Sequence, residues 1–155
     1  MQYFAALGLA PGLSLDHEDL ERRFYSRSRE LHPDRFARAS REEQQRALEF
    51  SSVLNDAYRT LRDPIARAEY VLKQEGVDSK EVPPDLLEEM FELNMAREEG
   101  ENVDGRLSQL LSGVDAVLPP KFAKWDATRD PAVLRDIRLD LNRRRYIGNI
   151  IHGHV

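Results

Sequence analysis

His32, Asp34, Ser26 and Ser28 are the side chains whose types and spacing suit acid–base or nucleophilic chemistry. An imidazole beside a carboxylate can move a proton, and a serine hydroxyl becomes a nucleophile when an imidazole takes its proton. Both reactions need a pocket that excludes water and fixes the geometry, and a serine and a histidine so close in sequence rarely reach that geometry. Pro33 points elsewhere. Its ring fixes φ and drives the preceding residue out of the helical region, so His32-Pro33-Asp34 should end one helix and open an exposed turn. Such a turn offers no pocket, and its residues read as a docking element.

The elements that must hold this turn are written on either side of it. Asp16 is a good N-cap for a helix from His17 to Leu31. Leu20, Phe24 and Leu31 share one face of that helix, and Arg22, Ser26 and Arg29 share the opposite, basic face. Ser40 with Glu43 has the form of a capping box. The stripe Phe50, Val53, Leu54, Ala57, Tyr58 and Leu61 that follows predicts the longest packed helix of this half. Upstream, Tyr3 to Leu7 is a short apolar segment stopped by Gly8. Downstream, Asp63-Pro64 supplies a cap and a first-turn proline for Ile65 to Leu72, with Gly76 as the stop. Residues 1–75 thus predict a four-helix unit.

Residues 76–84 are polar and close on Pro83-Pro84, the composition of a short, semi-stiff linker. A second helical unit is expected over 85–155. Its first helix, Asp85 to about Glu99, carries two apolar stripes, Leu86-Met90-Leu93 and Leu87-Phe91-Met95, more width than one packed face needs. Leu107, Leu110, Leu111, Val114 and Leu118 continue the helical period. Gly113 should weaken it, and Pro119-Pro120 should interrupt it before Phe122 and Trp125. Asp130-Pro131 starts a last helix lined by Leu134, Ile137 and Leu141, with Ile147, Ile150 and Ile151 beyond the run Arg143-Arg144-Arg145. No strand pattern is visible, and the fold class is all-α.

Composition narrows function. A net charge of −5 and a pI near 5.4 give no bulk attraction to nucleic acid or anionic membrane. The absence of cysteine removes disulfides, thiolate metal sites and thiol nucleophiles. No stretch reaches the ~20 apolar residues of a membrane span, and Met1-Gln2-Tyr3-Phe4 does not open a signal peptide, so a cytoplasmic location is expected. His152 and His154 flank Gly153 without further ligands and read as a tail. No metal or cofactor is expected.

His32-Pro33-Asp34-Arg35-Phe36, the later Asn55-Asp56-Ala57-Tyr58 and Leu61, and Arg67-Ala68-Glu69-Tyr70 together resemble a J domain, over roughly Tyr3 to Leu72. With Asp63-Pro64 and a small helical C-terminal unit, the resemblance narrows to the HscB family of iron–sulfur co-chaperones. It implies an L-shaped, two-domain protein that is not itself an enzyme. It also implies docking on a DnaK/HscA-type ATPase chaperone through Arg22, Arg29, His32, Pro33, Asp34 and Arg35, with stimulation of ATP hydrolysis. Charge-assisted contacts from these arginines would steer that encounter. The family carries an apolar residue where this chain has Arg27, whose stem can cover the core while its head reaches water.

The resemblance further implies that an IscU-type iron–sulfur scaffold binds the second unit. Leu87, Phe91 and Glu92 match the family's client-contacting helix, and Leu139 on the last helix is a further candidate. If Leu86, Met90 and Leu93 pack inward, Leu87 and Phe91 are left on an exposed flank, which Met95 would extend. Pro119-Pro120 fall where the family has one continuous helix, and the cysteine motifs found before some eukaryotic members are absent. Two rivals stand beside this reading: a J-domain protein with another client, and a helical nucleic-acid binder using Arg22, Arg29 and Arg143 to Arg145.

Overall fold

Seven α-helices and one 3-10 turn make up the regular structure of the computed structural model, which describes residues 1–152. They are α1 (Gln2–Ala6), α2 (His17–Glu30), the turn Pro33–Phe36, α3 (Arg41–Leu61), α4 (Pro64–Gln74), α5 (Pro84–Glu98), α6 (Asp104–Thr128) and α7 (Pro131–Ile151). No strand occurs among the described residues, and none of their helices is long and apolar enough to cross a membrane. His154 lies outside the described residues. The chain divides into two units, Met1–Glu75 and Gly76–Val155.

In the first unit α3 is the element on which α1, α2, α4 and the 3-10 turn all pack. The caps that the sequence predicts set its boundaries. Asp16 accepts from the amides of Glu18 and Asp19, Ser40 Oγ from that of Glu43, and Asp63 from that of Ile65. Phe4, Leu7, Leu13, Leu20, Leu54, Leu61 and Leu72 are almost fully buried. Phe24 of α2 stacks on Tyr58 of α3 with ring centroids 4.1 Å apart. Tyr3 stacks on Tyr70, whose hydroxyl accepts from the Tyr3 amide at 3.1 Å. These two ring pairs fasten α2 and α1 to the far ends of the unit's sequence.

Phe50 departs from its expected place in the packed stripe and is exposed. Its partner helix α2 stops at Glu30, and the short turn Pro33–Phe36 packs on α3 beyond that end. Phe50 is left at the open end, beside Leu31, Phe36 and Ala47.

The second unit is built from α5, α6 and α7. Leu86, Met90 and Leu93 of α5 close a core with Val103, Leu107, Ile147 and Ile150. Residues 77–83, non-helical, are tied to α7. Asn142 Nδ2 donates to the carbonyls of Ser79 and Glu81 at 3.0 and 2.9 Å, and Arg138 Nε donates to Asn142 Oδ1 at 3.1 Å.

The expected break at Pro119-Pro120 does not occur: α6 runs unbroken through both prolines. Each removes a backbone donor and crowds the carbonyl four residues earlier, at about 3 kcal/mol per internal proline. The deprived carbonyls belong to Asp115 and Ala116, on residues as exposed as the prolines themselves, so they are not buried without a partner. Across the helix Leu118, Phe122 and Trp125 are buried. Apolar side chains of this size contribute about 1.5–3 kcal/mol each on full burial, enough to hold the helix against both prolines. Asp130 then caps α7 by accepting from Ala132 N at 2.9 Å.

Candidate functional site

The turn after α2 is held from within. His32 adopts the extended conformation that a following proline demands (φ −59°, ψ 134°). Its Nδ1 accepts from the Asp34 amide at 3.2 Å, and its carbonyl accepts from the Arg35 amide at 2.9 Å. Downstream, Gln44 Nε2 of α3 lies within hydrogen-bond reach of the carbonyls of Phe36, Ala37 and Ala39. Gln44 therefore ties down the strand of chain that leaves the turn. Nothing in the sequence marks it, because a glutamine in the first turns of a helix is ordinary.

With its backbone so fixed, the turn presents its side chains to solvent. The His32 side chain is 59% exposed and that of Asp34 92%. Pro33 and Arg35 are exposed as well, while Phe36 is half-buried and anchors the turn. Among the described residues no hydrogen bond joins His32 to Ser26 or Ser28. The His32 Nδ1 that a nucleophile would need is engaged by the backbone.

Arg22 and Arg29 both point outward from α2. Arg22 meets Asp19 at 3.2 Å and Arg23 meets the same carboxylate at 2.8 Å. The hydrogen bond from Arg23, opposed by slight desolvation and helped by Arg22, holds the Asp19 carboxyl below the usual carboxylate range. Arg23 also donates to the Gly8 carbonyl at 2.9 Å. Arg27 is half-buried, and its guanidinium lies over Gly8, so close that a Cβ there would sit 2.9 Å from Nη2. Gly8 has φ +67°, which together with this close approach calls for glycine.

On α5, Leu87, Phe91 and Met95 form an exposed strip at steps of four residues, with exposures of 42%, 64% and 47%. Glu92 is exposed beside it, and Glu89 pairs with Arg106 at 3.3 Å. Leu139 is not part of this helix. It lies on α7, half-buried between the buried Arg138 and Asp140. The arginine run on α7 makes no continuous basic stripe: Arg144 is paired with Asp115 at 2.7 Å and Arg143 is half-buried.

An all-helical unit in which a capped, outward-facing His-Pro-Asp turn follows a helix with exposed arginines is the geometry of one known module. Residues 2–70 match the DnaJ domain family. That stretch, somewhat less than half of the chain, is similar to the DnaJ domain. Over 78 residues the chain is 46% identical to the HscB homolog of Neisseria meningitidis serogroup B, an alignment covering 50% of this chain and 47% of that one. With the HscB of Proteus mirabilis it is 44% identical over 78 residues, 50% of this chain and 45% of the other. The chain spans about half the length of the curated relatives it matches. The structural likeness extends past the DnaJ domain. The chaperone HscB from Vibrio cholerae superposes with a TM-score of 0.66 at 26% identity, covering 99% of this chain and 95% of that one. Human HscB gives 0.70 at 25% identity, with 99% and 80% covered.

Proposed function

We propose that this protein is a co-chaperone of iron–sulfur cluster assembly. Its DnaJ domain docks on a DnaK/HscA-type ATPase chaperone through Arg22, Arg29, His32, Pro33, Asp34 and Arg35. The observation that carries this reading is the His32-Pro33-Asp34 turn, internally capped and exposed, within a match to the DnaJ domain. The turn supplies no hydrolytic group. It favours the partner state in which ATP is hydrolysed, and differential affinity for two states is all such an activator needs. The docking arginines Arg22, Arg29 and Arg35 are exposed cations on an acidic chain, so docking weakens as salt rises.

The second unit holds the client, an IscU-type scaffold, against Leu87, Phe91 and Glu92, with Leu139 contributing from α7. The exposed apolar strip with a carboxylate at its side supports this assignment, as does the likeness to HscB over both units. Two measurements test the two halves. Stimulation of an HscA-type ATPase should drop to the basal rate with His32→Gln; undiminished stimulation sinks the docking reading. Association with an IscU-type scaffold should be lost with Leu87→Ala combined with Phe91→Ala; a scaffold that never binds the wild type leaves a DnaJ-domain co-chaperone with another client.

A further inference from the structure

The side chain of His32 has two ring nitrogens, and the fold uses only one. Neutral imidazole carries one N–H and one acceptor nitrogen, and whichever hydrogen bond one nitrogen makes fixes the other. Here Nδ1 faces the Asp34 amide at 3.2 Å and accepts from it, closing the first turn of Pro33–Phe36. The proton of the neutral ring is therefore on Nε2, the nitrogen on the opposite edge of a side chain that is 59% exposed.

We infer that His32 meets its partner as a hydrogen-bond donor through Nε2–H, while Nδ1 is spent on holding the turn. The same choice of tautomer keeps Asp34 free. A proton on Nδ1 would confront the Asp34 amide donor to donor. An acceptor to which it could swing is Asp34 Oδ2, 3.5 Å away. That contact would withdraw the carboxylate from any partner. With Nδ1 unprotonated, the turn offers a neutral donor and, two residues on, a carboxylate that is 92% exposed. The complementary surface is an acceptor, a backbone carbonyl or carboxylate oxygen, set beside a cation. This chemistry rests on the docking role proposed above, but the tautomer itself does not.

The first test is a long-range proton–nitrogen correlation spectrum of the uniformly 15N-labelled full chain, recorded on the basic side of histidine titration. His32 is assigned as the signal lost in His32→Gln. Nδ1 should appear as an unprotonated ring nitrogen and Nε2 as a protonated one; the reverse pattern overturns the inference. The second test separates cap from contact. In His32→Asn the side-chain oxygen can still accept from the Asp34 amide, as in an Asx turn, but nothing reaches the Nε2 position. The Asp34 amide should keep its hydrogen-bonded chemical shift, while affinity for an HscA-type ATPase in its ATP state falls about tenfold or more. An Asn variant that docks like the wild type removes the donor role. If the wild type itself fails to dock, the docking reading falls, and the spectrum still decides the tautomer.

Discussion

Arg67 spans the first unit from inside: its Nε donates to the carbonyl of Leu13 at 2.9 Å across 54 positions of sequence, and its Nη1 donates to that of Leu61 at 2.7 Å. The residue is 7% exposed. A guanidinium reaches the two carbonyls from two separate nitrogens of a rigid fork, whereas an ammonium would have to reach both from one nitrogen. Arg67→Ala should lower the stability of this unit by about 2–4 kcal/mol, since two buried acceptors lose a charged donor. Arg67→Lys should recover at most part of this. Urea denaturation followed by circular dichroism checks both, and a lysine variant as stable as the wild type would show that the fork geometry does not matter.

Lys121 of α6 pairs with Asp136 at 2.9 Å and with the buried Asp140 of α7. Burial alone would lower its pKa, but the hydrogen bonds to Asp140 and Asp136 outweigh burial and raise it above the ordinary 10.5. A lysine whose folded pKa is raised binds its proton more tightly when folded. Its stabilisation is complete below pH 10.5 and is lost as pH climbs through the higher folded value. The wild type should therefore lose stability more steeply than Lys121→Met as pH rises above 10.5 in alkaline unfolding titrations. Parallel curves for the two proteins would rule out the linkage.

What could be read from the chain was local. Asp16, Ser40, Asp63 and Asp130 each cap a helix a few residues away, and Pro33 dictates the backbone of His32 next to it. These effects act over one turn, so a one-dimensional reading captures them. Phe50, Gln44 and Asn142 show where it fails. Phe50 matches the period of the buried stripe yet is exposed, because a period does not say where the neighbouring helix ends. Gln44 and Asn142 bind carbonyls in segments that reach them only after folding, 63 positions away for Asn142 and Ser79. The candidate site divides the same way: the exposed turn was legible, and the direction of the His32 proton was not.

Pro119 and Pro120 mark a place where the sequence opposes its own helix. Replacing both with alanine restores two backbone donors opposite the carbonyls of Asp115 and Ala116 and removes the ring clashes. The unfolded chain also gains freedom, which takes back part of the benefit. The double variant should be more stable by about 4 kcal/mol in urea denaturation, with the Trp125 fluorescence reporting the second unit. A destabilised variant would mean that the prolines set a bend which the packing of Phe122 and Trp125 requires.

Met90 and Phe91 are neighbours in sequence and opposites in environment, at 0% and 64% exposure. That contrast separates the exposed strip proposed to meet a client from the core. Met90→Ser places a hydroxyl among Leu86, Leu93, Leu107 and Ile150 and should cost about 2–5 kcal/mol. Phe91→Ser removes an exposed ring, so stability should change by no more than about 0.5 kcal/mol. Its effect belongs in binding: an exposed aromatic at the centre of an interface typically carries about 2 kcal/mol or more, roughly thirtyfold in affinity. Thermal denaturation beside calorimetric titration of an IscU-type scaffold separates the two. Loss of stability in Phe91→Ser equal to that in Met90→Ser would return the strip to the core, and unchanged scaffold affinity would move the client elsewhere on the second unit.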